Sequence, residues 1–202
     1  MVFGRRSLGV ATGAGVNLHV IARNASPYFR WSPDDRWIAY VGRGHNVWLV
    51  RPDGADRHLA VRRIAVAANS LPGIAWSPDG TRLLFVTRSQ HLYSLVAQDI
   101  DTINRQTILT GAGLSSPEWA PDGRSIAYVR GRTLVVRHLS TGAETAVARD
   151  AWAEQWSPDG RWIAYLSGGT GTVEVVASDG TGRHQVAELY KPEALSWGSP
   201  SR

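Results

Sequence analysis

A short polar turn, set between an apolar strand end and an apolar strand start, recurs along this chain. Trp31-Ser-Pro-Asp-Asp-Arg-Trp-Ile-Ala-Tyr40 returns as Trp76-Ser-Pro-Asp-Gly-Thr-Arg-Leu-Leu-Phe85, as Trp119-Ala-Pro-Asp-Gly-Arg-Ser-Ile-Ala-Tyr128 and as Trp156-Ser-Pro-Asp-Gly-Arg-Trp-Ile-Ala-Tyr165. A fifth copy opens at Trp197 and runs to Arg202. The intervals between these tryptophans are 45, 43, 37 and 41 residues, the period of a repeat architecture. Ser-Pro-Asp-Gly predicts a tight turn: Pro presets φ at the second position, and Gly accepts a positive φ at the last. In the first copy Asp35 takes the Gly place, and Asp is among the few other residues that enter that region readily. Such a turn joins antiparallel strands. Trp therefore closes one strand, and Ile-Ala-Tyr or Leu-Leu-Phe opens the next.

Each block is followed by a hairpin and an alternating segment, at 46–50, 91–96, 133–137 and 172–176. Next comes a turn, carrying Gly at Gly54, Gly142 and Gly180, and replaced in the second repeat by Asp99-Ile-Asp-Thr-Ile-Asn104. A last strand follows, at 58–61, 106–109, 144–147 and 184–187. Four short strands in roughly forty residues, repeated, predict the blade of a β-propeller. The expected fold is all-β: one propeller domain over residues 1–202, built of four-stranded antiparallel blades whose repeats start near Trp31, Trp76, Trp119 and Trp156. The repeated Trp is expected to act as a wedge between neighbouring blades.

The two ends complement each other. Residues 1–10 match the hydrophobic pattern of 128–136, residues 17–21 read as a fourth strand, and 194–197 supply a first strand. A composite last blade from 194–202 and 1–24 would close a ring of five blades, remove the exposed sheet edges and imply a monomer. Trp197-Gly-Ser-Pro-Ser-Arg202 lacks the Asp-Gly of its siblings. An open fragment of a larger six- or seven-bladed ring is the alternative.

The Trp-Ser-Pro-Asp-Gly-Arg-x-Ile-Ala-Tyr block resembles the propeller repeat of the TolB type, a WD40-like repeat similar to those of the tricorn protease and the prolyl-oligopeptidase propellers. The resemblance spans the chain. It implies a propeller, a protein partner and a non-enzymatic interaction role, and it leaves a periplasmic or other extracytoplasmic location open. TolB-like rings usually have six blades, so five would be a departure, and no motif marks partner-contacting residues that could be carried over.

Composition narrows the chemistry. Gly (21) and Trp (9) are abundant, which suits turns and short strands. There is no cysteine, so thiol catalysis and disulfides are excluded. No apolar run is long enough to span a membrane, and residues 1–7 lack the apolar stretch of a signal peptide. No Gly-x-Ser-x-Gly or His-Glu-x-x-His occurs, and the six histidines are scattered. No catalytic residue, cofactor site or metal site is expected. Asp99 and Asp101 alone are too few for a cation. Arg30, Glu118, Glu154 and Gln155 precede tryptophans on the predicted inner strands and are expected to line the central channel.

The loops carry a sharper signal. The net charge is +5 and the pI about 10.1. The hairpins between second and third strands hold Arg5, Arg6, Arg43, Arg88, Arg130 and Arg132, and no acid. The turns on the opposite face collect eleven of the 17 acids, Glu144 among them, where turn chemistry itself favours Asp. The expected function is a protein–protein interaction scaffold whose Arg-bearing face meets an acidic partner. Two alternatives stay open: the propeller portion of a peptidase or glycosidase whose catalytic residues lie elsewhere, and a polyanion binder, with nucleic acid as a lesser form of the latter.

Overall fold

The computed structural model describes residues 7–11, 18–65, 73–168 and 171–188. Four four-stranded antiparallel sheets follow one another along the chain, each in simple up-and-down order. The first blade is β3 (Ala25–Trp31), β4 (Ile38–Gly42), β5 (Val47–Val50) and β6 (His58–Val61); the second is β7 (Ile74–Trp76), β8 (Arg82–Ser89), β9 (Leu92–Asp99) and β10 (Arg105–Gly111). The third is β11 (Leu114–Trp119), β12 (Ser125–Arg130), β13 (Thr133–His138) and β14 (Glu144–Arg149); the fourth is β15 (Ala151–Trp156), β16 (Trp162–Ser167), β17 (Thr172–Ala177) and β18 (His184–Glu188). Ahead of them β1 (Ser7–Ala11) and β2 (Leu18–Arg23) form a two-stranded sheet. Four blades are complete among the described residues, rather than the five expected. β1 and β2 stand where the third and fourth strands of a further blade belong, and the first strand expected at 194–197 lies outside the described residues.

The repeated turn forms as its residues dictate. Its backbone closes with Asp35 N–H on Ser32 O at 3.0 Å, and with the N–H of Gly80, Gly123 and Gly160 on the residue three before at 2.8–2.9 Å. Asp35 and these three glycines all have positive φ. The Ser hydroxyl donates to the Asp carboxylate, at 2.6 Å for Ser32–Asp34 and 2.5 Å for Ser77–Asp79 and Ser157–Asp159. The same carboxylates accept the backbone N–H of Arg36, Thr81 and Arg161. These bonds, the Ser hydroxyl's first, hold Asp34, Asp79 and Asp159 below the usual carboxylate range. These three acids are therefore parts of their turns.

Blades pack face to face, so their second strands are covered on both sides. That is why Ile38–Val41, Leu83–Val86, Ile126–Val129 and Ile163–Leu166 are unbroken apolar runs, all buried. Each wedge Trp sits in the cluster shared with the preceding blade: Trp76 with Ala39 and Leu49, Trp119 with Leu84 and Leu95, Trp156 with Ala127 and Leu134. Trp31 is only half-buried, because its preceding neighbour is the two-stranded sheet of β1 and β2.

The outer edges repeat as well. The buried Tyr of three blades sends its hydroxyl to the fourth-strand side: Tyr40 accepts from Arg57 Nε at 2.6 Å, Tyr128 donates to Glu144 at 2.9 Å, and Tyr165 donates to Glu174. In the second blade Phe85 takes the place and needs no partner.

Emptying an inter-blade site forfeits transfer energy and leaves a cavity. Trp119→Ala should cost about 3–5 kcal/mol, read from denaturant midpoints, and Trp31→Ala clearly less. A Trp119→Ala loss under about 1 kcal/mol would contradict the wedge packing.

Candidate functional site

The innermost strands β3, β7, β11 and β15 run beside one another in that order along the axis. β7 and β11 approach so closely that a Cβ at Gly73 would stand 2.3 Å from Pro117 Cδ. Ladder pairing is interrupted between Ser115 and Glu118 and between Trp152 and Gln155. Ser116 (φ 46°) and Ala153 (φ 52°) sit at these bulges, and a bulge re-aims the side chains that follow it. Pro117, Glu118 and Glu154 thereby face a small axial cavity of about 70 Å³ that Arg30 also lines. Gln155, expected beside them, is not part of that lining and pairs across to Ala164 instead.

This cavity holds the most perturbed acids among the described residues. Burial pushes the Glu118 carboxyl up to about 8, against a backbone hydrogen bond from Trp156 N–H at 3.1 Å and the charge of Arg30. Glu154 is driven well up in the same direction, first by burial and then by repulsion from Glu118. Both Glu154 carboxyl oxygens are buried without a hydrogen-bond partner. An ionised carboxylate there would be costly, so the pair favours its protonated state.

The second candidate region is the face formed by the hairpins between second and third strands and by the blade-to-blade connections. Arg5 and Arg6 lie outside the described residues. Arg43 and Arg88 are exposed on this face. Arg130 and Arg132 look equivalent in sequence but are already engaged. Arg130 bonds Tyr128 Oη at 2.8 Å and pairs with Glu144 at 3.0 Å, while Arg132 pairs with Asp150 at 2.7 Å. Glu144 follows a turn of the acidic face, but its side chain serves the blade edge, bound by Arg130 and Arg137. The fourth-strand ends add four arginines that hairpin reasoning passes over: Arg23 and Arg149 are the last residues of β2 and β14, and Arg62 and Arg63 follow β6. Their signal was the strand order itself, since fourth strands end on the same face as the second-to-third hairpins. Against these eight described arginines the face carries Asp150 and Glu188. The opposite face also has arginines, but in company with acids, as in Arg36–Asp34 and Arg51–Asp56.

Two of the scattered histidines serve packing. His58 and His184 stand edge-on to Trp37 and Trp162, with ring centroids 5.3 and 5.9 Å apart. Asp99 accepts the N–H groups of Asp101 and Thr102, each at 2.9 Å, and so closes its own turn.

This geometry has known counterparts. The chain superposes on the crystal structure of TolB from Acinetobacter baumannii with a TM-score of 0.75 at 17% identity, over 93% of this chain and 50% of that one. It is 38% identical over 61 residues to the Tol-Pal system protein TolB of Xylella fastidiosa (strain M12), a stretch that is 28% of this chain and 14% of that protein. Its repeats are of the TolB type. Residues 77–155 of this TolB-type propeller also match the family described as the dipeptidyl peptidase IV (DPP IV) N-terminal region. An oligogalacturonate lyase in complex with manganese shares the fold at a TM-score of 0.63 and 18% identity, over 81% of this chain and 52% of that one. The chain thus spans about half the length of the TolB structure it resembles.

The acids of the cavity give the propeller a pH signature. Below the ordinary carboxyl range both folded and unfolded chains hold these protons, and the contribution to stability is full. Between that range and about 8 the unfolded chain releases protons that native Glu118 keeps, so stability falls as pH rises. The Tm should drop between about pH 5 and pH 8, and Glu118→Gln should remove at least ~1 kcal/mol of that drop, about 2–4 °C at this length. Parallel pH–Tm curves for the two proteins would show that Glu118 is not held protonated.

Proposed function

We propose that this TolB-type propeller is a non-enzymatic interaction scaffold that holds a protein partner against its basic face, through an acidic surface on that partner. The observation that carries the reading is the charge balance of the face: six of its eight described arginines, Arg23, Arg43, Arg62, Arg63, Arg88 and Arg149, have no carboxylate within ion-pair range among the described residues. Guanidinium groups left free on a rigid sheet scaffold suit carboxylates through their planar fork. Complementary charge of this kind chiefly raises association rate and specificity. The TolB relatives are named for the Tol-Pal system, and an interaction role accords with that name.

An enzymatic reading draws on the peptidase-related family and the lyase. The axial cavity, at about 70 Å³, is far below the ~300–1,000 Å³ of typical small-ligand sites. It gives that reading little support among the described residues.

The test compares immobilised wild type with a variant carrying Arg43→Ser, Arg62→Ser, Arg63→Ser and Arg88→Ser. A control carries Arg36→Ser, Arg51→Ser and Arg161→Ser on the opposite face. Wild type and control should retain the same acidic proteins from a native extract, the four-site variant should lose them, and about 1 M salt, where charges are screened beyond ~3 Å, should reproduce the loss. Identical recovery by all three proteins at both salt levels would overturn the basic face as the binding face.

A further inference from the structure

The arginines of the basic face are not evenly spread. Between the first and second blades, Arg62, Arg63 and Arg88 line one open groove of about 1010 Å³ together with His45, Asn46 and Gln90. No Asp or Glu lines it among the described residues. Arg62 and Arg63 are exposed and carry no ion pair among the described residues.

The walls of the groove are tied down. Arg63 N–H donates to Asn46 Oδ1 at 3.0 Å and Ile64 N–H to His45 O at 2.9 Å, fastening the connection to the hairpin of its own blade. Ala65 N–H then donates to Val86 O at 2.7 Å, fastening it to the next blade. Arg88 is oriented by its own bond to Gln90 O at 2.8 Å and lies over the Tyr93 ring, 5.3 Å from the centroid. Three lining residues, His45 (φ 59°), Arg63 (φ 52°) and Gln90 (φ 54°), hold the left-handed conformation that non-glycine residues seldom adopt. Backbone of this kind persists where the surroundings over-determine it, and it gathers at binding sites. The guanidinium groups are thus presented from a rigid frame spanning two blades, so little ordering is required when a ligand arrives.

We infer that this groove binds a run of consecutive carboxylates: an acidic peptide segment of the partner, laid across the junction of the first two blades. The inference rests on the scaffold reading and locates it. Volume favours a peptide over a single small anion, since the groove lies at the upper end of the range for whole ligands. Three forked donors without an acid among them suit several carboxylates at once. Arg130 and Arg132, spent on Glu144 and Asp150, explain why the junction between the first two blades, rather than the whole ring of arginines, is the place.

The experiment uses the full chain and a fluorescently labelled hexaglutamate peptide, followed by anisotropy. Hexaglutamine, inorganic phosphate and a single-stranded oligothymidylate serve as competitors. Hexaglutamate should bind, hexaglutamine should not compete, and affinity should weaken as salt rises. Arg62→Ser with Arg63→Ser should weaken binding about tenfold or more, and Arg88→Ser should act in the same direction. Arg132→Ser, the same single-charge loss as Arg88→Ser on the same face but outside the groove, should change it by less than about twofold. Arg62→Lys with Arg63→Lys, which keeps charge but loses the fork, should fall between. Unchanged melting of each variant guards against misfolding. Equal losses for the groove and Arg132 variants would reduce the effect to overall charge and overturn the site. Displacement by oligothymidylate at far lower concentration would replace the peptide with a nucleic acid, and displacement by phosphate at comparable concentration would replace it with a free anion; either overturns the inference. If hexaglutamate fails while extract capture still depends on the basic face, the groove is wrong and the scaffold reading stands. If both fail, the scaffold reading falls too.

Discussion

The structure depends on tryptophan filling the seam between blades. A four-stranded sheet has two faces to cover and cannot do so alone; stacking the next sheet on it solves the problem for both. Trp76, Trp119 and Trp156 each end an inner strand and reach back into the preceding blade, among Leu, Val and Ala of its second and third strands. A buried Trp removes ~150–250 Å² from water, the largest contribution any side chain offers. Because each seam is a nearest-neighbour interaction, stability accumulates along the array as the sum of blades and seams. Trp31, whose preceding sheet has two described strands, is less completely buried than the other three.

Much of this was legible in the residues. Trp-Ser-Pro-Asp-Gly states a strand end, a turn and a left-handed position in five letters, and all four copies fold as written. The strand count per repeat also follows from the pattern. The site was legible only in part. Arg43 and Arg130 fall in the same hairpin of the repeat but three and two residues after the repeated Tyr, so Arg43 carries no ion pair among the described residues while Arg130 shares a strand face with Tyr128 and is drawn to the blade edge by Tyr128 and Glu144. Sequence reading by hairpin alone passes over that one-residue offset. Arg62 and Arg63 fall in a connection that varies between repeats, so periodicity gave no reason to single them out. Glu154 and Gln155 look interchangeable one residue apart, and a bulge at Ala153 decides which of them meets the cavity.

The axial acids and the basic groove occupy opposite energetic positions. In the cavity, two carboxyls are packed where their charged form is disfavoured, and the array tolerates them because protons are available. In the groove, guanidinium charge is kept wet and unpaired, at little cost to folding. The first couples the fold to pH; the second leaves the fold untouched and keeps its charge exposed to solvent.

The Ser-Pro-Asp turn has a consequence for how such a molecule changes over time. On that face the carboxylates hold hydroxyls and backbone N–H groups in place, so replacing one harms the turn itself. On the other face most of the arginines support nothing structural. Selection can therefore rewrite one side of the array freely while the other stays anchored to the fold. A lineage of such chains would be expected to drift in what it recognises on one surface only, with the turn-bearing surface as the invariant mark by which its members are known.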